Sequence, residues 1–340
     1  MPLPDLRHVA DSLQQRIPDL FAELKRLVLT IPPGHVVTYG DLAKELGDSG
    51  ASRWVASYLL LPEGPLADCS HRVVRSTGEL GLYHNQNVDQ KAQKLASEGV
   101  SVQNNQVDLK RFRWTLPAGS KPLVALKAWQ RDFACPVGIE LAAGEVQTIG
   151  GLDVSYQGDM AVAVCSCFGA DGKELQKHFA HTMRVRFPYI SGYLAFREIP
   201  VYLELFAEMQ ANDCLPDVLL VDGNGRLHPR RMGIATMLGA LIGIPTIGIA
   251  KNQLCGSILS DQLTVGSWEP IVASKNEPDD VLGYAILPHA KTKNPLYVSQ
   301  GLGIGDLRMQ EIVARCFAGH RSPEPIYHAD RESRRIASTL

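Results

Sequence analysis

The chain has 340 residues, 45% of them hydrophobic and 21% charged, with a formal net charge of −2. That length suits two domains rather than one core, and the composition is that of a soluble globular chain. The near-neutral balance excludes a surface that is basic throughout, and leaves nucleic-acid binding to local basic patches.

The N-terminus, "MPLPDLRHVADS", lacks a basic start followed by an apolar core, so no signal peptide is expected. Apolar residues at helical spacing in "VADSLQQRIPDLFAELKRLVLTI" predict a helix. "TYGDLAKEL" predicts a short helix begun by a Thr cap, and "SGASRWVASYLLL" a second one capped by Ser49 or Ser52. The Gly-containing turn between them makes a helix-turn-helix. "NVDQKAQKLASEGV" predicts a helix that ends at Gly99. "FRWTLPAGSKP" is rich in Pro, Gly and Ser and reads as a linker, so the expected division is 1–112, a linker over 113–122, and 123–340. "LVALKAWQRDFACPVGIEL" follows as a helical lead-in.

Strands dominate from about Gln147. "TIGGLDVSY", "MAVAVCSCF" and "KELQKHFAHTMRVRF" form a meander, and "AFREIPVYLELFAEMQ" an amphipathic helix. "DVLLVD", "PTIGIA", "GYAILP" and "PLYVS" are short strands, with "HPRRMGIATMLGAL" a helix between the first two and "DLRMQEIVARCF" a late helix. The uncharged run Met232 to Ala250 approaches membrane-span length, but Pro245 and its glycines favour a helix, a turn and a buried strand. The plan is an α/β mixed sheet with covering helices, preceded by a mainly helical domain. The seven cysteines have no dense spacing. Cys165 and Cys167 share one face of a strand and read as core, and the usage suits a reducing cytoplasm.

Three carboxylates break their local pattern. Asp153 lies inside an apolar strand, Asp222 ends another before "GNG", and Glu198 starts a helix. An acid on a buried strand is costly unless compensated, and hard cations such as Mg²⁺ prefer carboxylate oxygens. Each acid also has an ordinary structural explanation: Asp222 can cap a turn, and Glu198 can pair with Arg197 or Arg231.

The ordered motifs "GLDVSY", "FPYISGYLAFREIP", "LLVDGNGRLHPRRMG" and "IGIAKNQL" resemble endonuclease V over about the last two thirds of the chain. The resemblance implies an RNase H-like fold and Mg²⁺-dependent hydrolysis, with Mn²⁺ as a substitute. The cut would fall at the second bond 3′ to a deaminated base, chiefly inosine. It makes Asp153, Asp222 and Glu198 the metal ligands and Lys251 the cation that stabilises charge on the phosphate. Pro188, Tyr189, Ile190 and Gly192 would form a wedge loop at the lesion, and His228 would sit near the lesion pocket or the phosphate. One departure stands out: Leu302 and Gly303 occupy the place of the family's late Gly-His-Arg, with Asp306 nearby as a substitute for the histidine.

In the first domain, "DCSHRVV" sets a cysteine, a serine and a histidine side by side. Neighbours on an extended segment point to opposite faces, and no acidic orienter stands at a recognisable spacing, so neither a Ser-His nor a Cys-His nucleophile is expected. "IPPGHVVTYGDLAKELG", "ASRWVASYLL", "DCSHRVVRSTGELGLY" and "KLASEGV" resemble the DNA-binding domain of O6-alkylguanine-DNA alkyltransferases and their alkyltransferase-like relatives. Ser70 stands where that family has its acceptor cysteine, so no alkyl transfer is expected. The resemblance implies a winged helix-turn-helix that flips a base. Arg53 would fill the gap, Tyr39 would contact the flipped nucleotide or its phosphate, Tyr83 would line the pocket, Ser70, His71 and Arg72 would meet the lesion, and Glu98 would support the histidine. The partner is then lesion-bearing DNA, with inosine in RNA as an alternative substrate and a non-catalytic damage sensor as an alternative role. No membrane is involved, and a monomer is expected.

Overall fold

The computed structural model describes residues 3–61, 64–84, 87–133, 146–260, 262–292 and 294–340. They form two compact units. The larger comprises Met1–Arg16, Gln130–Arg186 and Gly192–Leu340, and the smaller Ile17–Trp129 with Phe187–Ser191.

The first predicted helix is two. α1 (Leu6–Arg16) and α2 (Leu20–Leu29) are separated around Pro18, where Asp19 caps α2 by accepting from Ala22 N–H. A proline ring cannot sit in a helix interior without losing a hydrogen bond, and its predecessor avoids the helical region. α1 then packs on a helix of the larger unit, described below.

In the smaller unit β1 (Val37–Thr38) leads into α3 (Tyr39–Glu45), where Thr38 and Asp41 form the expected N-terminal cap as a reciprocal pair. α4 (Ser52–Leu59) is not capped by Ser49 or Ser52. A 3₁₀ turn over Ser49–Ala51 precedes it, and Asp48 caps that turn by accepting from Gly50 N–H. β2 (Val73–Val74) pairs with β1 in parallel. α5 (Val88–Ser97) ends before Gly99, whose φ is +82°. β3 (Val102–Gln103) and β4 (Gln106–Val107) make a tight hairpin on Asn104 and Asn105, both with positive φ, as a wing should. α6 (Leu109–Phe112) and α7 (Pro122–Asp132) follow. Val36, Val74, Leu80, Leu95, Val100, Val107 and Phe112 form one buried core. The remainder of the predicted lead-in, 134–141, lies outside the described residues.

The larger unit is built on a nine-stranded mixed sheet. β5 (Thr148–Gln157), β6 (Met160–Gly169) and β7 (Leu175–Arg184) form the expected antiparallel meander. α8 (Leu194–Ala211) follows, and it is the helix on which α1 packs. It buries residues around most of its circumference, so it is an interior helix rather than an amphipathic one. β8 (Val218–Asp222) and β9 (Thr246–Ala250) are parallel to β5, and both match the sequence reading. α9 (Ile234–Ile242) between them is shorter than predicted. Residues 229–233 form an irregular turn instead, with Arg231 at φ +54°.

β10 (Ser257–Ile258), β11 (Trp268–Ser274), β12 (Glu277–Ile286) and β13 (Leu296–Gln300) extend the sheet antiparallel beyond β9. α10 (Asp306–Arg315) and α11 (Glu324–Ala337) complete it. Among the described residues no helix is long and apolar enough to cross a membrane. The run Met232 to Ala250 is a turn, α9 and β9.

α11 lies along β5 and β6. Gly151 makes that approach possible: a Cβ there would stand 2.0 Å from the Pro325 carbonyl carbon. The sheet topology then sets the acids. β5 and β8 pair up to Leu152 and Val221, so Asp153 and Asp222 come one step later on adjacent parallel strands. Ligand sites gather at such carboxyl ends of parallel strands.

Candidate active site and lesion-reading cluster

Asp153 is 6% exposed and Glu198, on the first turns of α8, is 8% exposed. Asp153 accepts a hydrogen bond from Ser333 Oγ at 2.7 Å, and Ser333 is within 2.8 Å of Ser155 Oγ. Glu198 accepts from Tyr156 OH at 2.8 Å, with the Arg197 guanidinium 4.3 Å over the Tyr156 ring. Arg231 is not its partner, because it forks onto Asp280. Lys251, one residue past β9, donates to Asp222 Oδ2 at 2.6 Å. The four residues expected to carry the chemistry therefore converge at one end of the parallel strands.

Their electrostatics are uncompensated. Burial, and then the charge of Asp222, push the Asp153 carboxyl up to about 7, while the Ser333 hydrogen bond pulls the other way. Burial pushes Glu198 up to about 8 against the Tyr156 hydrogen bond, and Asp153 and Asp222 add to the rise. Burial opposes charge on Lys251, but the acids, Asp222 foremost, hold its pKa above the ordinary lysine value. The Tyr202 hydroxyl, one turn along α8 from Glu198, is buried and finds no partner among the described residues. Two buried carboxylates that resist ionisation and an orphaned hydroxyl make a donor set that suits a hard divalent cation and its water. Among the described residues no three His, Cys, Asp or Glu side chains are grouped closely enough to hold a metal ion as they stand. The fit thus lies in donor chemistry and charge.

Sequence reasoning missed two members. Ser333 and Asp330 lie on α11, and Asp330 adds negative charge to both Asp153 and Lys251. Asp306, expected to substitute for the late histidine, instead accepts from Gln300 Nε2 at 2.8 Å. Leu302 is buried, its N–H bonded to Thr246 Oγ1.

Pro188 and Ile190 are buried, whereas Tyr189 is 66% exposed. Gly192 ends this loop at φ +81°. His228 is 4% exposed and neutral, its pKa lowered to about 4 by burial and by Arg230.

In the smaller unit Glu98 is the hub. It accepts from Arg72 Nη2 at 2.7 Å, from His71 Nε2 at 2.8 Å and from Gly34 N–H at 3.3 Å. Burial alone would raise its pKa, but the Arg72 and His71 bonds win and hold it at about 2. Ser70 turns away from this hub. Its Oγ lies 2.9 Å from His84 Nε2, a partner the sequence did not suggest, and 3.3 Å from the Ala67 carbonyl. Tyr83 is buried with its ring 4.3 Å from that of His84. Tyr39 is half-buried, and Arg53 is exposed on α4. Lys91 is fully buried, donating to the Val73 and Leu80 carbonyls and so tying β2 to the segment before Tyr83.

These arrangements have relatives. Residues 137–331 match the family Endonuclease V, and residues 19–100 match 6-O-methylguanine DNA methyltransferase, DNA binding domain. A bifunctional methyltransferase/endonuclease of Picrophilus torridus is 36% identical over 243 residues, 71% of this chain and 77% of that protein. Endonuclease V of Ignicoccus hospitalis is 40% identical over 195 residues, 57% of this chain and 85% of that one. Human ENDOV superposes with a TM-score of 0.52 at 32% identity, covering 62% of this chain and 90% of its own. Endonuclease V of Ciona intestinalis, solved with a 24mer DNA containing an inosine followed by a ribo-adenosine, gives 0.56 at 29% identity, covering 64% and 97%. The matched region takes in Asp153, Glu198, Asp222, Lys251 and Asp330, and the chain belongs to the endonuclease V family, with an alkylguanine-transferase-type DNA-binding domain ahead of it.

Proposed function

We propose that the larger unit cuts DNA 3′ to a deaminated purine, inosine foremost, with Mg²⁺ held by Asp153, Glu198 and Asp222 and Mn²⁺ able to replace it. The observation that carries this reading is the pair of buried carboxylates, Asp153 and Glu198, pushed towards neutrality beside Asp222 and Lys251. A bound divalent metal would polarise the phosphate and lower the pKa of an attacking water. The chain's own groups do the rest. Ser333 and Tyr156 each donate to one carboxylate and fix the face it turns to the ion. Lys251 supplies a cation where negative charge grows on the phosphate. Tyr189, exposed between buried Pro188 and Ile190, is shaped to enter the stack beside the lesion.

The division proposed for this activity is 1–112 for reading, 113–122 as linker and 123–340 for cutting, except that α1, within the first range, packs on α8 and belongs with the larger unit. The smaller unit would hold a flipped, altered purine with Tyr39, Arg53, Tyr83, Ser70, His71 and Arg72, and would thereby extend incision to alkylguanine. Ser70 accepts no alkyl group, because a hydroxyl yields far less nucleophile than a thiol at neutral pH. The protein acts as a monomer in the cytoplasm, in keeping with cysteines that are all unpaired among the described residues.

The test is an incision assay with Mg²⁺ on end-labelled duplexes carrying inosine, O6-methylguanine or guanine. Because the Ciona relative was solved with a ribo-adenosine after the inosine, an inosine RNA strand is included. Nicking of the inosine duplex that disappears in Asp153→Ala is expected. Intact binding without any nicking would leave a damage sensor instead. Equal inosine nicking by the full chain carrying Arg53→Ala and Tyr83→Ala, with O6-methylguanine never cut, would refute the coupling.

A further inference from the structure

We propose that Gln130, on the last turn of α7 and ahead of the region matched to the nuclease family, is a positioning residue for base discrimination, acting through Arg230 on Gly192. The proposal rests on the reading of Tyr189 and its loop as the lesion wedge.

Gln130 is 1% exposed, and burying an amide is costly unless both of its ends are bonded. Both are. Its Nε2 donates to the Met232 carbonyl at 3.1 Å, and its Oε1 accepts from Arg230 Nε at 2.9 Å. An amide gives one hydrogen bond from its nitrogen and takes the other on its oxygen, and among side chains of the same shape only a protonated acid can do the same.

Arg230 is fixed on further sides. Its terminal nitrogen donates to the Gly192 carbonyl, and its guanidinium lies 4.9 Å over the Tyr193 ring. Its backbone N–H donates to His228 Nδ1 at 3.2 Å. That bond leaves the proton of neutral His228 on Nε2, which donates to the same Gly192 carbonyl at 3.2 Å. Two donors thus converge on one carbonyl, and the glutamine sets the angle of the stronger one. Gly192 sits at φ +81°, a left-handed conformation that favours glycine, and it is the residue to which the wedge segment is joined. The effect of Gln130 therefore arrives at Tyr189, three residues upstream, without Gln130 touching nucleic acid.

The experiment uses the full chain. Affinities for an inosine duplex and for the same duplex with guanine are measured with Ca²⁺ in place of Mg²⁺. Single-turnover incision is measured with Mg²⁺, and a 2-aminopurine beside the lesion reports unstacking. Gln130→Leu should lower the inosine-to-guanine affinity ratio about tenfold or more and abolish the 2-aminopurine signal. Incision at saturating substrate should stay within about threefold of wild type, which is the mark of lost positioning in binding rather than lost chemistry.

Gln130→Glu supplies a second reading should the leucine variant fold poorly. As a carboxylate it accepts from Arg230 but repels the Met232 carbonyl, and as an acid it donates to it. Its discrimination, normalised to wild type at each pH, should recover as pH falls. Wild-type discrimination in Gln130→Leu together with a pH-independent Gln130→Glu would overturn the proposal. A wild type that prefers inosine without cutting, and loses that preference in Gln130→Leu, would support the inference while refuting the proposed nuclease. Absence of any inosine preference in the wild type would overturn both.

Discussion

Two clusters in this chain are each built on a glutamate, one half-buried and one buried, and they are solved in opposite ways. Glu98 meets a guanidinium, an imidazole and a backbone N–H, and its pKa is held at about 2. Glu198 meets one phenol, with Asp153 and Asp222 adding like charge, and its pKa is pushed to about 8. A satisfied carboxylate holds a shape. An unsatisfied one holds a demand for positive charge, which a metal ion meets. The same residue type thus marks a scaffold in the smaller unit and, on the proposed reading, a centre of reaction in the larger, and the difference lies in the partners.

The largest test of this contrast is Asp222→Ala or Asp153→Asn. Incision of an inosine duplex should fall about a thousandfold or more. Metal-free Asp153→Asn should melt no lower than wild type, because removing one of several repelling acids relieves the fold, whereas Asp222→Ala also strips Lys251 of its counter-charge. A variant that both melts lower and cuts normally would reverse the assignment of the two clusters.

Glu98→Gln should show the converse. It leaves Arg72 and His71 without their counter-charge and should cost the smaller unit roughly 3 kcal/mol in a denaturant titration. Inosine incision should stay within about threefold. Destabilisation below about 0.5 kcal/mol would show that Glu98 is not the hub its hydrogen bonds describe.

The two clusters also answer pH with opposite sign. Asp153 and Glu198 have folded-state values raised to about 7 and 8, so the stability they contribute is complete below their ordinary values near 4. It is lost as pH rises through about 7 to 8. Glu98 is depressed to about 2, so its contribution is present above its ordinary 4.5 and is lost as pH falls towards 2. Thermal melts in chelator should therefore show the larger unit weakening between about pH 5 and 8. Mg²⁺ should restore it most at the alkaline end. A metal-free larger unit that gains stability over that range would contradict the uncompensated site.

The smallest effect expected is that of Ser333→Ala. It removes the hydroxyl that donates to Asp153 and should lower single-turnover incision at pH 7 about tenfold. The deficit should shrink at higher pH, where Asp153 ionises without help. A deficit independent of pH would make Ser333 merely a packing residue of α11.

The acids of the larger unit stand out because they violate their surroundings, but it is the ordered motifs resembling endonuclease V that single them out as ligands. Asp153 interrupts an apolar strand and Asp222 ends one, and strands such as "DVLLVD" and "PTIGIA" are continuous enough to read directly. α11 was not legible. Its buried face is Glu324, Pro325, Ile326, Ala329, Ser333 and Ala337, small and polar residues rather than an apolar stripe. The signals that would have found it are charge pairs at helical spacing, Asp330–Arg334 and Glu332–Arg335. β11 was missed for a related reason: Pro270 and a broken register make it an irregular strand. The Ser70–His84 bond depends on a loop that returns fourteen residues later, which no spacing rule encodes.

The docking of α11 on β5 has a consequence in time. Ser333 reaches Asp153 across 180 residues of chain, and Asp330 adds its charge from the same helix. A chain that has formed its sheet but not yet laid down α11 lacks Ser333 and Asp330 beside Asp153 and leaves the faces of β5 and β6 that α11 covers open to water. The acid cluster is therefore completed only when the last helix of the chain has docked.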